Sequence, residues 1–123
     1  VAGVAYKKVL APKPVVVPKK IEGVLVPLDP EFVVNLAGGR YAKISVSVLA
    51  KHAGASHEAG TAPSLEQDAA VRSIITDELT GISASRLVDR ESRAELLVEI
   101  VHDIHKHTDE EITRLFFTDI AVQ

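Results

Sequence analysis

The chain contains no cysteine, no methionine and no tryptophan. Without cysteine there is no disulfide scaffold, no thiol nucleophile, no zinc ribbon and no thiol redox pair. Two tyrosines and three phenylalanines are the only aromatics among 123 residues, too few to suggest a platform for stacking nucleic-acid bases. No apolar run approaches the roughly 18 residues that a membrane-crossing helix needs. The absence of Met, with Val1 in first place, reads as a processed protein or a piece of a longer one.

What remains is the composition of a folded domain. Apolar residues make up 46% and charged residues 25%, too apolar for wholesale disorder. About 120 residues suffice to bury most of the unfolded surface around one core. The net charge of −3 hides an asymmetry. Residues 1–20 hold five lysines (Lys7, Lys8, Lys13, Lys19, Lys20) and no acid, whereas the remaining 103 residues hold nine basic and 17 acidic side chains. A basic leader on an acidic body argues against a nucleic-acid-binding body, which needs a basic face.

Two parts are therefore expected: residues 1–20 as a linker and 21–123 as the domain. Pro12, Pro14 and Pro18 remove backbone donors and hold their predecessors extended, so the leader reads as a Pro/Lys-rich spacer. Its start, Val1 to Tyr6 followed by Lys7 and Lys8, resembles the end of a transmembrane helix at the headgroups, or a terminal strand or tail.

In the body, Gly23 to Leu28 is apolar and Leu28-Asp29-Pro30 is a turn signal. Phe32–Leu36 reads as a short strand and Gly38-Gly39 as the turn of a hairpin. In Tyr41–Ala50, Ala42, Ile44, Val46 and Val48 alternate with Lys43, Ser45 and Ser47, which predicts a strand with one buried face. Lys51–Pro63 is loop composition. Ser64 and Gln67 fit a capping box that opens a helix from Leu65. That helix carries Val71, Ile74, Ile75 and Leu79 as its stripe, with Ala70 nearby, and stops at Thr80-Gly81. A short turn through Leu87 and Val88 follows, and Asp89 caps a long helix over 90–107. Its expected stripe is Ala94, Leu97, Ile100, Val101 and Ile104, with Leu96 and Val98 on the flanks. Ile112–Val122 is apolar on both faces and is expected as a central strand, covered on both sides or by a neighbouring subunit. The order β-β-α-α-β implies an α+β fold: a small antiparallel sheet, hairpin plus C-terminal strand, packed against two to three helices.

The search for chemistry finds little. No Ser sits in a G-x-S-x-G elbow, and Gly38-Gly39-Arg40 lacks the remainder of a phosphate loop. Asp89, Glu91, Glu95 and Glu99 read as a solvated helix face. His102 and His105 lie three apart on one helix and are a weak candidate for a shared metal, since zinc takes four ligands and only His52, His57 and His107 could add imidazoles. Histidines near a helix C-terminus are also explained by the helix dipole. No catalytic, cofactor or metal site is therefore assigned, and no partner-binding residue is identified.

Two segments nevertheless form a pattern. Pro27-Leu28-Asp29-Pro30-x-Phe32-x-Val34-Asn35-Leu36, followed by Arg40-Tyr41-x-Lys43-Ile44-Ser45-Val46, resembles the PLDPFTVNL…RYLKVSI opening of the extracytoplasmic domain of the flagellar basal-body-associated FliL family. The close, Leu115-Phe116-Phe117-Thr118-Asp119-Ile120-Ala121-Val122-Gln123, resembles that family's terminal VYFTDFVVQ-like strand. The resemblance covers residues 27–123. It implies a stomatin/prohibitin-like (SPFH-like) fold on a single-pass inner-membrane protein, whose anchoring helix precedes this chain and whose domain lies on the periplasmic side. It also implies rings around the flagellar stator proteins MotA and MotB, support of torque and motility, and no enzymatic activity or cofactor. Two features depart from the family pattern: the Gly- and His-bearing loop Lys51–Pro63 and the histidines of 102–107. The alternatives are a stomatin-like membrane scaffold of another complex and a small extracytoplasmic metal-binding protein using His102 and His105.

Overall fold

A computed structural model of the chain describes residues 22–52 and 63–123. The expectations for the leader 1–20 and for loop residues 53–62, with His57, lie outside the described residues. The described chain runs as strand β1 (Val24–Asn35), a 3-10 turn (Ala37–Gly39), strand β2 (Tyr41–Ala50), helix α1 (Asp68–Leu79), short helix α2 (Ala84–Val88), long helix α3 (Arg90–His107) and strand β3 (Ile112–Val122). The three strands form one antiparallel sheet in the order β1-β2-β3. The fold is α+β, as the element order implies.

The hairpin forms where the glycines place it, with Gly38 at φ +79° inside the turn, a conformation glycine adopts without a Cβ penalty. The Asp29-Pro30 signal does not end a strand. β1 runs through it, and the register with β2 shifts between Leu28 and Phe32. The Asp29-Pro30 peptide is cis. Because β1 is an edge strand, the amide that proline lacks is not required by a neighbour on the outer side, and the irregularity is tolerated there.

One face of the sheet carries the core. Ala42, Ile44, Val46 and Val48 of β2, Val26, Leu28, Phe32 and Val34 of β1, and Ile112 and Leu115 of β3 are buried there. The helices supply Val71, Ile75 and Leu79 from α1, Leu87 from α2, and Leu96, Ile100 and Ile104 from α3. Each fully buried aliphatic side chain of this kind contributes roughly 1.5–3 kcal/mol. On the opposite face, Leu25 and Val33 remain exposed.

Three expectations are corrected. The core stripe of α3 is Leu96, Ile100 and Ile104; Leu97 and Val101 are half-buried, and Ala94 and Val98 are exposed. The helix carries two apolar stripes, and the sheet with α1 and α2 selects the i, i+4, i+8 row. β3 is not central but an edge strand, because β2 pairs on both sides and β3 on one. The capping box of Ser64 and Gln67 is replaced by a longer connection. The Gln67 amide donates to the Glu110 carboxylate at 2.9 Å, and its side-chain oxygen accepts from the Asp109 amide at 2.6 Å. These bonds tie the start of α1 to the α3–β3 turn, so the helix begins at Asp68. Asp89 caps α3 as expected: its carboxylate accepts from the Ser92 amide at 2.9 Å, and the Ser92 bonds hold it below the usual carboxylate range.

The two segments that carry the sequence pattern meet in space. The Tyr41 amide donates to the Gln123 carbonyl at 3.0 Å, the Gln123 amide returns a bond of 2.9 Å to Tyr41, and the Tyr41 hydroxyl reaches the Gln123 side chain at 2.6 Å. Thus β3 is pinned to the beginning of β2. Asn35 and Ala37 bond in turn to Gly81 and Ile82 across the end of α1, where Gly81 takes φ +82° as a left-handed helix end requires.

Candidate functional site

Two places on the surface depart from a plain solvated exterior, and α3 borders both. The first is a groove of about 300 Å³ between α3 and the start of β3. Ala94, Leu97, Val98 and Val101 form its helical wall; Thr113, Arg114 and Leu115 form its strand wall. It arises from the second apolar stripe of α3, which the core leaves outward. Val98 at its rim is 70% exposed, more than any other large apolar side chain of the described residues. β3 has no strand on its far side, so the groove lies beside an open sheet edge. Unpaired strand edges invite pairing with another chain. The Arg114 guanidinium stacks over the Phe116 ring, 4.6 Å from its centroid, and places a cation next to the apolar floor.

The second is a hollow lined by Glu78 of α1 and by Val98, Glu99, His102 and Asp103 of α3. Glu78 and Asp103 face the same hollow from two helices, and the Glu78 carboxyl is pushed up to about 7. Hydrogen bonding with the Asp103 side chain is the largest cause; burial and the negative charges of Asp103 and Glu99 add to it, while the cation of Arg86 opposes it. Arg86 also pairs with Glu99 at 3.4 Å. Reading Glu99 as part of a solvated face misses this contact. The signal available in the sequence is faint: an acid in the last turn of α1, where the dipole favours cations.

The two histidines proposed to share a metal are not brought onto one site. His102 lines the hollow with Glu78. His105 turns the other way, and its Nε2–H donates to the Ile112 carbonyl. It lines a separate depression with Lys51, Thr108, Asp109, Glu110 and Glu111. Among the described residues no group of three or more His, Asp or Glu side chains has the arrangement of a metal site. His105 instead fastens the end of α3 to the first residue of β3. Among the described residues, too, no helix is long and apolar enough to cross a membrane.

A search of the curated proteins finds no match. The family model of the flagellar basal body-associated protein FliL matches residues 25–123, from the second residue of β1 through Gln123, which bonds to Tyr41. The match thus covers every described strand and helix, including the groove and the carboxyl-lined hollow. The chain belongs to the FliL family, whose members are associated with the flagellar basal body.

Proposed function

We propose that this chain is the extracytoplasmic domain of a membrane-anchored structural protein that steadies the flagellar stator, MotA and MotB, and so supports torque and motility without catalysing a reaction. The family match over residues 25–123 carries this reading. Residues 1–20 act as the spacer between an inner-membrane helix and the domain, which occupies 21–123 on the periplasmic side with an SPFH-like arrangement. Anchoring confines the domain to two dimensions and raises its effective concentration beside its neighbours. Weak head-to-tail contacts then close a ring when their rotation allows. The open edge of β3 and the neighbouring groove offer such a contact a place to form.

Deleting the gene and tracking cells in viscous medium tests the role. Swimming that slows under load supports it, and swimming and swarming unchanged at every viscosity overturn it. The ring is tested separately by crosslinking in membranes at native expression: ladders of oligomers support it, and monomers alone remove it.

A further inference from the structure

Among the described residues, both outer strands of the sheet have a side with no neighbouring strand, and the two edges differ. On β1, Pro27 and Pro30 lack backbone donors and the register shifts between Leu28 and Phe32, features that blunt an edge against further pairing. On β3, Ile112–Val122 holds neither proline nor glycine. Its Thr113 and Thr118 hydroxyls each donate to a β2 carbonyl at 3.2 Å. Between them, Arg114 to Phe117 pair with Leu49 to Val46 without a break. This even stretch borders the groove, whose strand wall includes Arg114 and Leu115. An open edge with an apolar trough along it is the form of a site that takes an added strand.

The leader has the pattern of such a strand. In an antiparallel pair, the amides of successive residues point alternately toward and away from the partner. Pro12, Pro14 and Pro18 are all even-numbered, so the donors they lack fall on one side of an extended segment. The other side keeps an unbroken row at Ala11, Lys13, Val15, Val17 and Lys19. One intact row with prolines on the other side suits an outermost strand. Val15, Val16 and Val17 give both faces of the segment an apolar side chain, so valine meets the groove whichever face turns to α3. The leader's five lysines, with no acid, also meet an acidic border, where Glu95 and Glu99 flank Ala94 and Val98.

We propose that residues 13–17 of this chain's own leader add to β3 as an antiparallel fourth strand, beside Arg114–Phe117 and against the groove. The chain is long enough. Val24, Ala50 and Ile112 stand in one row across the sheet, so the leader joins β1 at the end of the sheet where β3 begins. A strand beyond β3 lies three spacings from β1, about 14 Å. The segment from Val17 to Val24 spans up to about 23 Å when extended. Traced back from that end of the sheet, residues 17 to 13 follow β3 from Arg114 toward Phe117, which makes the pair antiparallel. This inference goes beyond the assembly reading and does not depend on it. A neighbouring subunit that takes the same edge has to displace the leader first.

The test is amide hydrogen exchange, read residue by residue by NMR on the 123-residue chain and two variants. Val16→Pro adds a proline on the side that already lacks donors and leaves the row intact. Val15→Pro combined with Val17→Pro removes two donors from the row. None of these positions belongs to the core, so both variants should fold. In the wild type the Val15 and Val17 amides are expected to exchange about tenfold or more slowly than in an unstructured chain, as are the amides of Arg114–Phe117 that point away from β2. Val16→Pro keeps that protection of the β3 edge, and the double variant loses it. Three results overturn the proposal: leader amides that exchange at unstructured rates in the wild type, equal protection of the β3 edge in the two variants, or protection that rises with protein concentration, which would put a neighbour's leader on the edge.

Discussion

The two long sides of α3 are nearly equal in apolar content and opposite in fate. On one side Leu96, Ile100 and Ile104 are fully enclosed by the sheet, α1 and α2. On the other, Ala94 and Val98 face outward and Leu97 and Val101 are covered in part. A hydrophobic side chain acquires structural weight from what surrounds it, and so the same helix carries both a keel and an open surface. The sharpest way to break this contrast is a pair of truncations. Ile100→Ala is expected to lower the unfolding free energy by about 2–5 kcal/mol, and Val98→Ser to change it by about 0.5 kcal/mol or less. Urea denaturation of both variants measures the difference. Equal losses would mean that the outer side is buried in the folded protein in solution.

The outer side has its own test, with a different readout. Val98→Glu places a charge at the rim of the groove, at a position already 70% exposed, so folding should be preserved. If the groove makes the contacts of the assembly, crosslinked oligomers in membranes should diminish severalfold, because desolvating an unpaired charge in an apolar contact is costly. Oligomers at wild-type levels would move the contact elsewhere on the domain.

Most of the elements were legible in the sequence. Tyr41–Ala50, Arg90–His107 and Ile112–Val122 form with the bounds that periodicity and caps suggest, because alternation, an Asp cap and β-branched residues are local signals. What was not legible depends on partners distant in the chain. Whether Ile112–Val122 sits at the centre or the edge is decided by β2, some 60 residues earlier, and an edge strand with apolar residues on both faces reads like a central one. The choice between the two stripes of α3 is likewise made by the sheet. Gln67 looked like half of a capping box, yet its bonds go to Asp109 and Glu110, more than 40 residues away. Of the candidate site, the histidines were visible as residue types, but only the fold shows that His105 serves the Ile112 carbonyl. The hollow brings together Glu78 and Asp103, two acids that no spacing rule pairs. The Tyr41–Gln123 bonds join the two segments of the family pattern in space, pairing the start of β2 with the residue that follows β3.

The N-terminus of α3 offers a smaller test, restricted to acid. Asp89 is fully exposed, and its carboxylate is held below the ordinary value by the Ser92 bonds. A depressed carboxyl stabilises the fold above its unfolded value of 3.8, and that contribution disappears as pH falls through the lower folded value. Asp89→Ala should therefore lower the thermal midpoint at pH 6 and lower it less at pH 2, as the cap takes up protons. A deficit of equal size at both pH values would show that the side chain acts through packing and not through its charge.

A small effect is also expected at the ion pair of Arg86 and Glu99, beside the hollow. Its side chains are 35% and 55% exposed and its closest approach is 3.4 Å, so solvent and salt weaken the attraction and holding two long side chains offsets much of the rest. Arg86→Gln should cost roughly 0.2–1 kcal/mol at low ionic strength, with the difference shrinking further in 0.5 M salt. Because Arg86 is also the cation that opposes the upward push on Glu78, the same substitution should raise the Glu78 midpoint slightly. A loss comparable to that of Ile100→Ala would mean that this side of α3 is as structural as the enclosed one. A small loss together with a raised Glu78 midpoint would place the side chain's role in electrostatics at the hollow, separate from the core that holds the helix down.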